Sequence, residues 1–221
     1  AHAVSRLEPH VDRPFFLFLG DIFFATENLG SMVERFLDGR GIGGVLACKR
    51  EPNLEAIKRN FVVLLGPDGF VTRVIEKPQH PRTRLKGCGL YLFDPVFFDA
   101  VRRTPRTALR DEYEITDAIQ IFIDDGHRVK AARVIEDDLN LSYPPDLLDI
   151  NLRLLGDESC IAPGVKLPAG AKVERSVLMD GVTVSHPIAI RQSVVFPGVA
   201  LTGTADIERR IITLDHTIDC R

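Results

Sequence analysis

Phe15-Phe16-Leu17-Phe18-Leu19-Gly20-Asp21 sets an unbroken apolar run directly ahead of a glycine and an aspartate. A run this short suits a strand buried on both faces of a parallel sheet, and its C-terminal end, at Asp21, is the place to look for ligand groups. Working outward, Leu29, Val33, Phe36 and Leu37 recur at helical spacing before Gly39. Gly44 to Cys48 reads as another strand. Phe61 to Leu65 and Phe70 to Ile75 flank Gly66-Pro67-Asp68-Gly69, a turn that predicts a hairpin. Cys88 to Phe93 is a strand, Pro95 opens a helix, Thr116 to Asp125 is an amphipathic helix, Arg128 to Ile135 is a strand, and Pro144-Pro145 begins a last helix reaching Leu155. The alternation predicts an α/β layered domain with a largely parallel sheet.

From about Ile161 the pattern changes. Val165, Ala171, Val177, Thr183, Ala189, Val195, Leu201 and Ile207 fall on every sixth residue, with prolines and glycines between them. Period six matches neither an α-helix nor an ordinary strand; it fits the short faces of a triangular, left-handed parallel β-helix. The expected division is therefore 1–156 for the α/β domain and 157–221 for the β-helix. About three coils bury little by themselves, so docking on the α/β domain or on another subunit is expected, and we expect a homo-oligomer formed through the β-helix.

Composition narrows the function classes. The chain has 221 residues, 45% hydrophobic and 27% charged, with a net charge of −3. Its basic residues are scattered, which gives no footprint for nucleic acid. No apolar run is long enough to span a bilayer and the first residues do not resemble a signal peptide, so no membrane role and a cytoplasmic location are expected. Cys48, Cys88, Cys160 and Cys220 form no Cys-x-x-Cys pair, and no two histidines stand four apart, so no transition-metal site is expected.

Five segments taken in order carry a resemblance. Phe15 to Phe24, FFLFLGDIFF, resembles the motif in which an aspartate after a buried strand binds Mg2+ in sugar-1-phosphate nucleotidylyltransferases. Glu76-Lys77-Pro78 matches that family's E-K-P, and Cys88-Gly89-Leu90-Tyr91 resembles its T-G-I-Y. Arg110 to Asp117 resembles R-G-E-x-E-I-T-D, and Asn140 to Leu148 resembles D/N-x-G-T-P-x-D-L-L. Together they cover residues 1 to about 155, and many members carry a hexapeptide β-helix after them. The resemblance implies a Rossmann-like nucleotidyltransferase fold, incomplete at its N-terminus.

The implied reaction joins a nucleoside triphosphate and a sugar 1-phosphate into an NDP-sugar, releasing pyrophosphate, with Mg2+ as cofactor. By the same resemblance Asp21, Lys77 and Arg110 would be catalytic, and Asp21 and Asn140 would ligate the metal. Glu76, Gly89, Tyr91 and Glu112 would bind substrate. Asp137 and Asp138 are possible substitutes for Asn140. Asp21 also suits a turn, though less well than a metal ligand, while Asn140 suits a turn or cap and Tyr91 a sheet core nearly as well as a site; by residue type alone Lys77 and Glu76 suit a solvated surface better, and only their motif context reverses that.

Two departures matter. The family's G-x-G-T-R-x-x-P-L-T loop, which wraps the triphosphate, is absent, so residues 1–221 are expected to be a fragment with little activity alone. The family's Y-G-V-V is here Asn60-Phe61-Val62-Val63, placing Phe61 at a glycine position close to the sugar. A non-catalytic regulatory or structural subunit is the alternative reading. A third makes the β-helix an acyltransferase, with His186 or His216 as general base.

Overall fold

Every residue of Leu85–Phe93 is buried, and the strands of the first part of the chain assemble on it. The computed structural model describes residues 1–39, 41–107 and 111–221. Backbone contacts divide the chain into two compact units, Ala1–Asp138 and Leu139–Arg221.

In chain order the first unit contains His2–Ser5 (α1), Phe15–Phe18 (β1), Ile22–Ala25 (β2), Gly30–Leu37 (α2), Ile42–Arg50 (β3), Leu54–Lys58 (α3) and Phe61–Leu65 (β4). Val71–Glu76 (β5), Leu85–Phe93 (β6), Phe97–Arg103 (α4), Ile115–Asp124 (α5) and Arg128–Arg133 (β7) follow, and the division falls inside Asp137–Asn140 (β8).

The main sheet runs β5-β4-β6-β3-β7, with β1 also beside β6. Only β3 and β7 pair in parallel; β1, β3 and β4 all run antiparallel to β6, and β4 and β5 form the expected hairpin. The sheet is therefore mixed, where a largely parallel one was expected. β1 also differs from expectation: Leu17 is buried, but Phe16 and Phe18 are 36% and 51% exposed. It lies along one side of β6 and has only one covered face, so its phenylalanines alternate between core and surface.

Both faces of the sheet are packed. On one, Leu17, Leu46, Phe61, Tyr91 and Phe93 meet Phe97, Ala118, Ile119 and Phe122 of α4 and α5. The rings of Phe93 and Phe97 stack at 3.8 Å, and Phe122 stands edge-on to Phe97 at 5.3 Å. On the other face, Val45, Ala47, Leu90 and Leu92 pack with Met32, Leu29 and Phe36. Val33 and Leu37, expected inward, are exposed. The Asn28 side chain accepts the Ser31 N–H at 3.0 Å, starting α2 in a phase that turns Met32 to the sheet.

The second unit opens with Pro144–Leu155 (α6). Asp146 accepts the backbone N–H groups of Ser142 and Tyr143 at 2.8 and 2.7 Å, satisfying donors that a helix start leaves unpaired. Leu148 and Leu152 of α6 pack on Val194, Ile211 and Cys220.

The remainder is a parallel β-helix. Cys160, Val177, Val194 and Ile211 are successive neighbours in one ladder, as are Lys172 with Ala189 and Thr183 with Ala200. Each coil therefore advances 17 residues, the separation of the serine pairs Ser159/Ser176 and Ser176/Ser193, where three strict hexapeptides would give 18. The shortening lies at one corner. There Arg175, Gln192 and Arg209 adopt positive φ (46°, 45° and 48°), and the next residue's N–H bonds to a serine hydroxyl one coil earlier. Ser176 N–H donates to Ser159 Oγ at 3.2 Å, Ser193 N–H to Ser176 Oγ at 3.1 Å, and Arg210 N–H to Ser193 Oγ at 3.1 Å.

The shorter coil resets the inward-facing set, so Leu178, Val195 and Ile212 line the core with Val182, Val199, Val184 and Leu201. Val195 and Leu201 of the six-spaced series are among them, whereas Val177 faces the α6 cluster. Thr217–Asp219 turns back antiparallel to Arg210–Ile212. Because the Ser176 hydroxyl both donates to Glu174 O at 2.8 Å and accepts the Ser193 N–H, Ser176→Ala leaves a buried donor unpaired and is expected to destabilise this unit by about 1–3 kcal/mol. Urea unfolding followed by circular dichroism checks this, and no measurable loss would contradict it. Among the described residues, no helix is long and apolar enough to cross a membrane.

Candidate active site

The register along one side of β6 leaves an opening. β1 pairs with the C-terminal half of β6, from Phe15 opposite Phe93 to Phe18 opposite Leu90, and Leu19 N–H then donates to Gly89 O at 2.9 Å. β4 meets the same strand only at Val62 opposite Lys86. Gly87, Cys88 and Gly89 thus lie where β1 has ended and β4 begins. Asp21 leaves β1 at this point.

Gly89 is the structural reason for the break. It adopts φ +65°, and a Cβ there would lie 2.6 Å from Ile22 Cδ1 and 2.9 Å from Leu19 Cδ1. Only glycine admits both the backbone angle and the approach. The β3–β6 register slips across the same stretch, between Leu46 opposite Tyr91 and Cys48 opposite Gly87, as a bulge does.

Several sequence-predicted residues gather here. Asp21 is exposed and, among the described residues, makes no hydrogen bond or ion pair. Glu76 ends β5 opposite Phe61, and its carboxylate accepts the Thr116 hydroxyl at 3.3 Å, which ties it to α5. Lys77 follows with its N–H on Asn60 O at 2.8 Å and a φ of 43°. A non-glycine residue held there costs on the order of 1–3 kcal/mol, a strain that collects at functional positions. The Lys77 side chain is exposed and forms no ion pair among the described residues. Tyr91 is fully buried and its hydroxyl has no hydrogen-bond partner among the described residues. Burial, then the nearby Glu76 charge, raises its pKa.

Glu112 is exposed, outside any helix or strand, and lines an open cavity of about 580 Å³ with Ala1, His2, Arg106 and Tyr113. Arg110 lies outside the described residues. Asn140 is exposed at the end of β8, in the second unit. A free carboxylate such as Asp21 fits a hard cation that keeps most of its waters and takes few protein ligands. Among the described residues, no cluster of three or more His, Cys, Asp or Glu side chains is placed to hold a metal.

The sequence reading missed a buried ionic cluster. Lys86 Nζ meets Asp138 Oδ2 at 2.6 Å, and Lys49 Nζ reaches Asp138 Oδ1 at 2.8 Å, Asp137 Oδ1 at 3.1 Å and Glu51 Oε2 at 3.4 Å. Asp138 thus meets two ammonium groups. Burial pulls the Lys49 pKa down, but hydrogen bonds and charge from Asp138 and Asp137 outweigh it and hold the group above its ordinary value of 10.5. A raised lysine pKa stabilises the fold fully below the unfolded value and loses that contribution as pH climbs toward the folded one. The stability gap between wild type and Lys49→Met is therefore expected to stay constant from pH 7 to 9 and to narrow above about 10.4, the unperturbed lysine value. Urea titrations across that range test it; a gap that closes below pH 9 contradicts it. Nearby, burial pushes the Cys48 thiol up to about 12 and also raises Cys88, so both remain protonated and act as packing groups.

A mixed α/β sheet opened beside its central strand, followed in the chain by a parallel β-helix, defines a protein with an α/β first unit and a hexapeptide-type second unit. Residues 1–138 match the Nucleotidyl transferase family and residues 153–220 match the family described as GlmU-like, C-terminal hexapeptide. The chain belongs to the nucleotidyl transferase family.

Among its relatives is the UTP–glucose-1-phosphate uridylyltransferase AglF of Haloferax volcanii, 35% identical over 154 residues, covering 70% of this chain and 62% of that protein. A glucose-1-phosphate thymidylyltransferase of Streptomyces antibioticus is 31% identical, covering 92% of this chain and 54% of that protein. A solved UDP-glucose pyrophosphorylase structure complexed with UDP-glucose shares the fold, with a TM-score of 0.57 at 19% identity over 67% of this chain and 59% of that one. The chain thus spans between about half and two thirds of the length of these proteins.

Proposed function

We propose that the protein containing these 221 residues transfers a nucleotidyl group from a nucleoside triphosphate to a sugar 1-phosphate, with Asp21, Lys77 and Glu76 working at the opening beside β6. The observation that carries this reading is the register, which ends β1 and begins β4 around Gly89 and so leaves an unpaired acid beside a sheet edge. In the reaction a phosphate oxygen of the sugar 1-phosphate attacks the α-phosphorus in line. The new P–O bond forms as the bond to the bridging α–β oxygen breaks, and pyrophosphate leaves with that electron pair. Two anions must approach each other, so positioning and positive charge carry most of the catalysis.

Lys77 meets the sugar phosphate as a point charge. Glu76, oriented by Thr116, accepts from a sugar hydroxyl, and Tyr91 offers its unpartnered hydroxyl on the same face. Gly89 gives backbone access. We assign Mg2+ to the free carboxylate of Asp21, where the ion would neutralise charge on the triphosphate. Arg110 is assigned to the sugar phosphate and Glu112 to the sugar by the motif they share with Thr116. The names of the uridylyl- and thymidylyltransferase relatives favour a uridine or thymidine triphosphate, and we further propose a cytoplasmic location and self-association through the β-helix.

A non-catalytic subunit is the second reading, favoured by the Phe61 ring beside Glu76. Full-length protein supplied with UTP, dTTP or GTP and a panel of sugar 1-phosphates is expected to release pyrophosphate only when both substrates are present. No release with any pair would establish the subunit reading instead.

A further inference from the structure

Four residues form a row across the sheet. Glu76 stands opposite Phe61, the β4–β6 register carries Phe61 on to Gly87, and Gly87 stands opposite Cys48. Directly opposed residues on antiparallel strands project to one face with Cβ atoms about 4.5–5.5 Å apart, so Glu76 and Phe61 share a face. A Cβ on Gly87 would lie only 1.8 Å from Cζ of Phe61 and 2.1 Å from Cε2. The ring tip therefore rests on the bare backbone of β6, in the space a side chain would occupy. Gly87 has no positive φ, so contact with this ring, not backbone conformation, is what requires glycine there.

The ring also bears on Tyr91, 6.3 Å away between centroids. Phe61 is 7% exposed. The Tyr91 hydroxyl lies on the same packed face without a partner among the described residues, an arrangement that burial makes unfavourable. A carboxylate and a phenol on one face, with an apolar ring between them and a glycine floor beneath, have the chemistry of a polyol pocket that is filled from inside.

We infer that Phe61 is a specificity-determining residue: its ring occupies the ground between Glu76 and Tyr91 on which a sugar ring would stand, and so restricts which sugar phosphates the site admits. The inference rests on the sugar-phosphate reading of this opening. Shortening Phe61 clears the floor over Gly87 and widens the space between Glu76 and Tyr91 for a full-size pyranose, while the Lys77 phosphate contact is left as it was. A full-size hexose phosphate should therefore gain affinity and a bare phosphate should not.

The test is calorimetric titration of the full-length protein, wild type and variants, with glucose 1-phosphate and with inorganic phosphate, after thermal melts confirm folding. Phe61→Ala is expected to bind glucose 1-phosphate at least tenfold more tightly than wild type and Phe61→Leu by an intermediate factor, with inorganic phosphate unchanged. Lys77→Ala is expected to weaken both ligands in every background. If Phe61→Ala does not fold, Phe61→Leu decides. Unchanged or weaker glucose 1-phosphate binding in the folded variants, with Lys77 dependence intact, overturns the role of Phe61 alone. Binding indifferent to Lys77→Ala overturns the functional reading beneath it.

Discussion

Asp138→Ala is expected to destabilise the first unit by about 3–5 kcal/mol, the cost of leaving a buried charge without its partner. Lys86 is the charge left behind. Its ammonium is 5% exposed and its ion pair is with Asp138. Lys49 suffers less, because Asp137 and Glu51 remain within 3.1 and 3.4 Å. Lys86→Met should be milder than Asp138→Ala, since Asp138 keeps its 2.8 Å contact with Lys49. The double variant Lys86→Met/Asp138→Leu removes both members of the buried pair and should recover most of the loss. Urea denaturation of the four proteins gives the cycle; equal costs for the two single changes would show that the cluster does not work through Lys86.

Gly87→Ala should be destabilising out of proportion to its single methyl group. The added carbon would overlap the Phe61 ring at 1.8 Å, so the ring must leave its seat or the strands must part. Overpacking of this kind costs typically about 1–3 kcal/mol. In a Phe61→Ala background the clash is gone, and the same substitution should cost clearly less than it does in the wild type. The resulting coupling separates a steric effect from any intrinsic need for glycine. Full additivity of the two substitutions would refute the contact.

Much of this arrangement was legible in the sequence, and its limits have physical causes. The Gly66–Gly69 turn identified the β4–β5 hairpin, and Pro144 marked the start of α6, because turn and cap signals are local. The direction of β1 was not legible. Five apolar residues in a row fit a strand covered on both faces as well as one covered on a single face, and only pairing with β6 leaves Phe16 and Phe18 exposed. A repeat announced the β-helix, but its 17-residue coil depends on a left-handed corner occupied by Arg175, Gln192 and Arg209, residue types that do not advertise positive φ.

At the site, Asp21, Glu76, Lys77, Gly89 and Tyr91 could be named because each sits in a short motif. The buried ionic cluster could not, since Lys86 and Asp138 are separated by 52 positions and Lys49 and Asp137 by 88. Phe61 was conspicuous as a large residue in a glycine position. That it is matched by a glycine across the strand emerged only with the register.

The central claim is that Asp21, set free at the end of β1, serves nucleotidyl transfer. Pyrophosphate release by the full-length protein, measured at saturating nucleoside triphosphate, sugar 1-phosphate and Mg2+, tests it most directly when wild type is compared with Asp21→Ala. The account predicts a fall in kcat of about 10²–10³-fold, the scale of removing one preorganised electrostatic contact at the transferring phosphoryl group, with the melting temperature unchanged. Turnover at the wild-type rate in Asp21→Ala would contradict it.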